Sequence, residues 1–294
     1  MTPASQLRTL LRGHEIVVAP GAYDGITAKL IAQAGFSVAY MTGAGTAASL
    51  GYPDFGLVTM TEMADNAGRI ARASGLPVVA DADTGYGNEL NAFRTVQEYE
   101  RRGVAGLHIE DQVFPKKCGH LDDKEVIARA DFIAKIRAAV AAKQDPDFLL
   151  IARTDSRAVI GMEEAVARCN EALEAGADMA FLEAPQTLEE VAAVPKLVRG
   201  PCMLNVVWGG KTPLVDMPDA QAMGYKFAIF PGLLFKNVIG TCDEVLRELK
   251  ETNRHAVPGN GLTVRQVFTR FGADEWDARR TQFRVPAVPA KAAE

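Results

Sequence analysis

Long apolar runs, paired cysteines and blocks of one charge are all missing from this chain. No stretch approaches the ~20 apolar residues that a membrane helix needs. The opening segment, MTPASQLRTLLRGHE, holds no long apolar run, so neither a secretory signal nor a membrane span is expected. The four cysteines, Cys118, Cys169, Cys202 and Cys242, lie far apart without a Cys-x-x-Cys pair. That spacing argues against a disulfide framework and against a zinc cluster, and it suits a reduced, cytoplasmic protein. The net charge is −5 with both signs mixed along the chain, and no Lys/Arg block marks a nucleic-acid or membrane partner.

What is present is the composition of a globular enzyme: 48% hydrophobic and 23% charged residues. The 294 residues match the usual size of one α/β barrel and are expected to form a single domain. Short β-branched runs at 16–19, 38–42, 77–80, 106–110, 148–153, 179–183, 203–206 and 227–230 read as strands. Segments of helical period separate them, clearest at 28–34, 62–73, 92–102, 126–142, 162–175, 188–197 and 217–223. Eight such units predict a (β/α)8 barrel of the TIM type, with an open doubly wound sheet as the alternative. From about 232 onward the chain reads as extra helices, at 235–251 and 263–284, with the tail VPAVPAKAAE expected to fray. Cys169, Cys202 and Cys242 read as packing residues, and Trp208 as either core or pocket wall.

Nearly every expected strand ends in a polar residue. In a parallel barrel these ends open on one face, which would gather Asp81, Asp83, Glu110, Arg153, Glu183 and Asn205 around one cavity, with Asp54 approaching from the loop YPDFG. Two carboxylates about 4 Å apart repel by roughly 4 kcal/mol at an effective dielectric near 20. A hard cation such as Mg2+ would relieve this, whereas capping of the following helices would account for any one acid alone. Arg153 can grip a carboxylate through two parallel hydrogen bonds, or pair with Glu183 or Asp155. The long segment DQVFPKKCGHLDD reads as a lid, and its lysines are expected to favour thiolate at Cys118. The glycines of TGAGT offer backbone N–H groups to an anion.

Taken together, APGAYDG, YMTGAGTAASLGYPDFG, DADTGYG, HIEDQV, KKCGH, IARTD, FLEAP and the later Asn205 resemble the isocitrate lyase / phosphoenolpyruvate mutase superfamily, in the family's order across about 15–235. The resemblance implies a barrel whose terminal helix swaps between subunits, in a homotetramer built as a dimer of dimers. It implies Mg2+, with Mn2+ as a substitute, near Asp81 and Asp83, and Asp54 and Glu110 holding its waters. Tyr40, Thr42, Gly43, Ala44 and Gly119 would contact a small carboxylate substrate, with Arg153, His120, Glu183 and Asn205 around its reacting end. Lys116, Cys118 and His120 belong to the KKCGH loop, which resembles that of the C–C lyases; most mutases and phosphonopyruvate hydrolases lack its cysteine, although a carboxyphosphonoenolpyruvate mutase branch keeps it. Phe181 and Pro231 are similar to those of short lyases that accept methyl-bearing substrates, and Pro231 stands where an oxaloacetate hydrolase would carry serine. Val206, Val207 and Trp208 follow Asn205 where a methylisocitrate lyase tends to continue Thr-Glu, and Lys236 replaces an arginine, which shifts the expectation toward a smaller 2-alkylmalate. Cleavage would be a retro-aldol step with Cys118 as general acid and Tyr40, or a carboxylate-held water, as base. Phosphoryl migration, oxaloacetate hydrolysis or decarboxylation, and a non-catalytic metabolite sensor are the competing readings.

Overall fold

The computed structural model describes residues 1–257 and 261–284. Eight parallel strands run β1 (Val17–Ala22), β2 (Ala39–Met41), β3 (Val78–Asp81), β4 (Gly106–Glu110), β5 (Leu149–Thr154), β6 (Met179–Leu182), β7 (Met203–Asn205) and β8 (Phe227–Phe230). Their order is β6-β5-β4-β3-β2-β1-β8-β7, so β1 pairs with both β2 and β8. Between β6 and β7 the ring closes through a single parallel bridge, Ala180 to Cys202, with the Ala180 N–H on the Pro201 carbonyl at 2.9 Å. The closed barrel is therefore the correct reading, and the open sheet is set aside.

The helices are α1 (Pro3–Leu11), α2 (Gly25–Gln33), α3 (Gly43–Ser49), α4 (Met60–Ser74), α5 (Glu89–Arg101), α6 (Arg129–Ala142), α7 (Ser156–Val159), α8 (Met162–Glu174), α9 (Leu188–Leu197), α10 (Met217–Met223), α11 (Leu233–Thr252), α12 (Val264–Arg270) and α13 (Ala273–Phe283). Residue type sets their ends. Thr59 caps α4 in a reciprocal capping box with Glu62, and Gly75, left-handed at φ +70°, stops it. Two compact units are distinguished, residues 1–239 and 240–294. The first holds the barrel; the second carries most of α11, with α12 and α13. The tail 285–294, expected to fray, lies outside the described residues.

Strand alternation organises the interior. Val17, Ala19, Val38, Tyr40, Val79, Leu149, Ile151, Met179, Phe181, Met203, Phe227 and Ile229 form one buried cluster, to which Leu7 of α1 is added. These are alternate residues of neighbouring strands, the pattern of side chains that fill a barrel. The intervening residues, such as Ala80, Leu107, Ile109, Leu150 and Ala152, belong to a second cluster with Ala67, Ile70, Val96, Phe132 and Ile136 of the helices. Continuing the inward set by one more step brings Thr42, Asp81, Glu110, Arg153, Glu183, Asn205 and Pro231 to the C-terminal mouth.

Three elements differ from expectation. The TGAGT glycines do not form a loop cradle; they open α3, capped by the Thr42 side chain. The structure gives a packing reason for both, since a Cβ on Gly43 would lie 2.4 Å from Asp81 Oδ2 and one on Gly45 would lie 2.7 Å from Thr42 Cγ2. The short helices α1 and α7 lie outside the helical segments read from the sequence. Cys169 and Cys202 are buried as expected, but Cys242 is exposed, as is Trp208.

Candidate active site

At the barrel mouth lies a cavity of about 170 Å³ lined by Tyr40, Thr42, Ala44, Asp54, Asp81, Cys118, Gly119, His120, Arg153, Phe181, Glu183, Asn205 and Pro231, with Val207, Phe235 and Lys236 on one side. A larger cleft of about 570 Å³ adjoins it, sharing Val207, Gly232 and Lys236, but its walls are mostly apolar side chains such as Trp208, Leu214 and Met217. The chemistry-bearing groups line the smaller cavity. Four residues expected at the site, Gly43, Asp83, Glu110 and Lys116, do not line it; they form the layer just behind its wall.

The acidic corner is built by β3 and β4. Register places Asp81 opposite His108 and, one strand further, Glu110 opposite Arg153. Asp83 adopts the left-handed φ of +46°, a conformation that is costly for residues other than glycine and that turns its N–H onto Asp81 Oδ1 at 2.9 Å. Lys116 then reaches in from the loop, 2.5 Å from Asp54 Oδ1 and 2.9 Å from Asp83 Oδ1. Burial opposes its charge, but Asp83, Asp54 and Glu110 hold the ammonium well above its ordinary range. Burial, followed by repulsion from Asp81 and Asp54, lifts Asp83 to about 6 against the pull of Lys116. Burial raises Glu110 strongly as well, despite Arg153. Among the described residues no three acidic, histidine or cysteine side chains are assembled as a finished metal-binding set. The donors nevertheless fit a hard, largely hydrated cation. Glu110 is fully buried with Oε1 unpartnered and Oε2 met only by the Arg153 ion pair, and Asp81 lines the cavity. Mg2+ takes few protein ligands directly and keeps several waters.

Arg153 is surrounded by carboxylates. Its Nε donates to Asp155 Oδ2 at 2.9 Å, Nη1 lies 3.1 Å from Glu110 Oε2, and Nη2 lies 3.7 Å from Glu183 Oε2. The guanidinium also stands over the Phe181 ring, 5.2 Å from its centroid. The two pairings expected for it, with Glu183 and with Asp155, are thus both made.

Cys118, Gly119 and His120 cross the mouth from above. The Lys211 N–H donates to His120 Nδ1 at 3.1 Å, which leaves the ring proton on Nε2, 3.3 Å from both Glu183 Oε1 and Asn205 Nδ2. Burial lowers the His120 pKa, so the ring is neutral. The thiolate expectation for Cys118 is corrected: burial and then the Asp54 carboxylate push its pKa up. The lysine expected to activate it is spent on Asp54 and Asp83, and Lys117 points to the Asp123 carbonyl. Tyr40 is not a ready-made base either. Burial, then Asp81, raise its pKa far above the ordinary value, and its hydroxyl lies 2.8 Å from His108 Nε2.

Sequence reasoning gave no role to His108, Lys124 and Phe235. A signal existed for His108, which shares the inward face of β4 with Glu110 two residues on. None existed for Phe235, whose approach depends on how the chain turns from β8 into α11.

The family model for phosphoenolpyruvate phosphomutase matches residues 7–250. A 2,3-dimethylmalate lyase of Eubacterium barkeri is 48% identical over 232 residues, spanning 79% of this chain and 80% of that protein. A 2-methylisocitrate lyase of Aeropyrum pernix is 44% identical over 249 residues, spanning 85% and 80%. Among solved structures, a 2,3-dimethylmalate lyase superposes with a TM-score of 0.92 at 39% identity, over 100% of this chain and 99% of that one. A phosphonopyruvate hydrolase in complex with oxalate and Mg2+ gives 0.87 at 29% identity, over 96% and 99%. Motif order, closed barrel and mouth geometry agree with these matches: the chain belongs to the phosphoenolpyruvate mutase family, within the isocitrate lyase / phosphoenolpyruvate mutase superfamily.

Proposed function

We propose that this protein is a Mg2+-dependent carbon–carbon lyase that cleaves a 2-hydroxy di- or tricarboxylate of the 2-alkylmalate or 2-methylisocitrate type. The products are a 2-oxo acid and a second carboxylate. The observation that carries the reading is the Cys118 thiol, held by its loop at the same cavity that Arg153 and Asp81 line.

Asp81 and Asp83, with Asp54 and Glu110 through water, would hold the cation, which supplies an acid site for the 2-hydroxy acid group. Arg153, His120 and Asn205 orient the second carboxylate of the substrate. The 2-hydroxyl loses its proton to Tyr40 or to a carboxylate-held water; at Tyr40 this requires the phenol's own proton to move to His108. The C2–C3 bond then breaks, and its electron pair passes onto the departing carboxylate as an enediolate stabilised by Arg153 and His120. Cys118 delivers its proton to C3 as general acid. A raised thiol pKa favours this role, because the group must still carry its proton when the carbanion forms. The apolar neighbours Phe181, Val207, Ile229, Pro231 and Phe235 support alkyl substituents on the substrate.

The same reading includes homotetramer assembly. None of the residues of α11, α12 and α13 is buried, and Leu246, Leu249, Phe268 and Trp276 are exposed apolar groups that suit a subunit contact.

The decisive experiment is a panel of 2-alkylmalates, 2-methylisocitrate and phosphonopyruvate, assayed for 2-oxo acid release with Mg2+ and with excess chelator. Turnover of a 2-hydroxy acid that the chelator abolishes is the expected result. Turnover of phosphonopyruvate alone, or lyase activity that survives chelation, overturns the proposal.

A further inference from the structure

The loop that carries the thiol is fastened at two levels. At its base, the Val113 N–H donates to the Glu125 carbonyl and the Ile127 N–H to the Asp111 carbonyl, each at 2.9 Å. Gln112 clamps Lys117 from both sides, at 2.8 and 3.0 Å. The upper fastening is made by one side chain. Lys124, on the same loop, turns inward until its side chain is 1% exposed. Its ammonium donates to the Gly119 carbonyl and lies 2.9 Å from Asp155 Oδ1. The other oxygen of Asp155 holds Arg153 Nε at 2.9 Å, and the Asp155 N–H is fixed on Asp111 Oδ1 at 2.8 Å. A buried ammonium is unfavourable unless it is both paired and hydrogen-bonded. Here both partners are functional: the peptide between Cys118 and His120, and the carboxylate that orients Arg153.

We propose that Lys124 is a positioning residue for the lyase reaction, tying the Cys118–Gly119–His120 turn to the Asp155–Arg153 pair so that thiol and guanidinium reach their reacting places together. Lys116 cannot make this link, being committed to Asp54 and Asp83. The role rests on the lyase reading for its kinetic arm, but its conformational arm does not require turnover.

The test uses Lys124→Met, which keeps the buried stem and removes the charge, and Lys124→Arg, which keeps the charge in a fork too broad for both partners. Both are made in a Cys242→Ser background, where Cys118 is the most accessible thiol. Iodoacetamide labelling of Cys118 reports the closed loop, with and without oxalate and Mg2+ as the probe. Lys124→Met is expected to label about tenfold faster, because local opening sets the rate, and to lose protection by the probe. Its kcat is expected to fall about 100-fold with a much smaller change in KM, as for a reacting group misplaced by about 1 Å. Lys124→Arg should fall between it and the parent, and it carries the test if the methionine variant does not fold. A purely structural lysine would lower the melting temperature and leave labelling and probe protection unchanged, and that outcome overturns the proposal. If the parent turns over no member of the substrate panel, the lyase reading fails while the labelling result still decides whether Lys124 holds the loop.

Discussion

Replacing Gly119 with alanine tests the closed geometry with a single methyl group. The residue sits between the thiol and His120, and its φ is not left-handed, so alanine brings no backbone strain. The added Cβ would lie 2.5 Å from Arg153 Nη2, 2.7 Å from Glu183 Cγ and 3.0 Å from Glu183 Cδ. Carbon atoms rest at about 3.5–4.0 Å, so the overlap approaches ~1 Å. Neither neighbour gives way easily: Arg153 is held by Asp155 at 2.9 Å and Glu110 at 3.1 Å, and Glu183 accepts from Asn205 Nδ2 at 3.1 Å. The loop must therefore lift, carrying Cys118 with it by about the same distance. A displacement of that size costs about 100-fold in rate. Overpacking of ~1–3 kcal/mol at a loop should lower the melting temperature by only a few degrees. Release of the 2-oxo acid, coupled to NADH oxidation by lactate dehydrogenase, gives kcat and KM; differential scanning fluorimetry gives stability. A variant with unchanged kcat and KM would show that the loop does not need to touch Arg153 and Glu183 for turnover, and the closed arrangement would lose its catalytic meaning.

Cys118→Ser should lower kcat by about 10²–10⁴-fold, because a hydroxyl is a far weaker acid than a thiol, while oxalate with Mg2+ still binds by calorimetry. Near-normal turnover in that variant would remove the thiol from the mechanism. Acid stability offers a second check through Asp155. Burial alone would raise its pKa, but Arg153 and Lys124 together bring it from 3.8 down to about 2. A depressed carboxylate stabilises the fold above its unfolded pKa and loses that contribution as pH falls through the folded one. About 2 kcal/mol should thus disappear between roughly pH 4 and pH 2. Urea unfolding across this window should show a shallower acid slope in Asp155→Asn, and an unchanged slope would refute the assignment.

Strand alternation and barrel topology made much of this site legible before any coordinates. Once eight strands are placed in one ring, the inward register fixes which face Asp81, Glu110, Arg153, Glu183 and Asn205 share. Strand limits were less legible. Thr42 was expected to end β2, yet it serves as the cap of α3, since a threonine side chain satisfies a helix N–H better than a ladder position there. The lid was recognised by its length and its KKCGH core, but not its internal wiring. Lys116, Lys117 and Lys124 look alike in sequence and end in three different places: between Asp54 and Asp83, on the Asp123 carbonyl, and against Gly119 and Asp155. A lysine has a long flexible stem, so its spacing along a loop says little about where its charge comes to rest. The error about Cys118 has the same origin, because two adjacent lysines count as activators only if their ammonium groups face the sulfur.

Charge balance connects the lid to the metal. Around the cavity stand six carboxylates, Asp54, Asp81, Asp83, Glu110, Asp155 and Glu183, against three buried cations, Lys116, Arg153 and Lys124. Both histidines facing the site have lowered pKa values and add no charge. A site already short of positive charge would repel a substrate bearing two carboxylates, and Arg153 alone, shared among three acids, cannot offset that. Without a cation among them, burial and mutual repulsion raise Asp83 to about 6 and lift Glu110 well above its ordinary range. A divalent ion among Asp81, Asp83 and Glu110 would relieve that repulsion and would leave Arg153 free to turn its outer face to the substrate. The unpartnered Oε1 of Glu110 would then have a reason to stay buried, as an acceptor for the waters of a hydrated cation, and replacing Glu110 with a neutral apolar side chain would remove the attraction that draws the ion, and with it the substrate, into the barrel mouth.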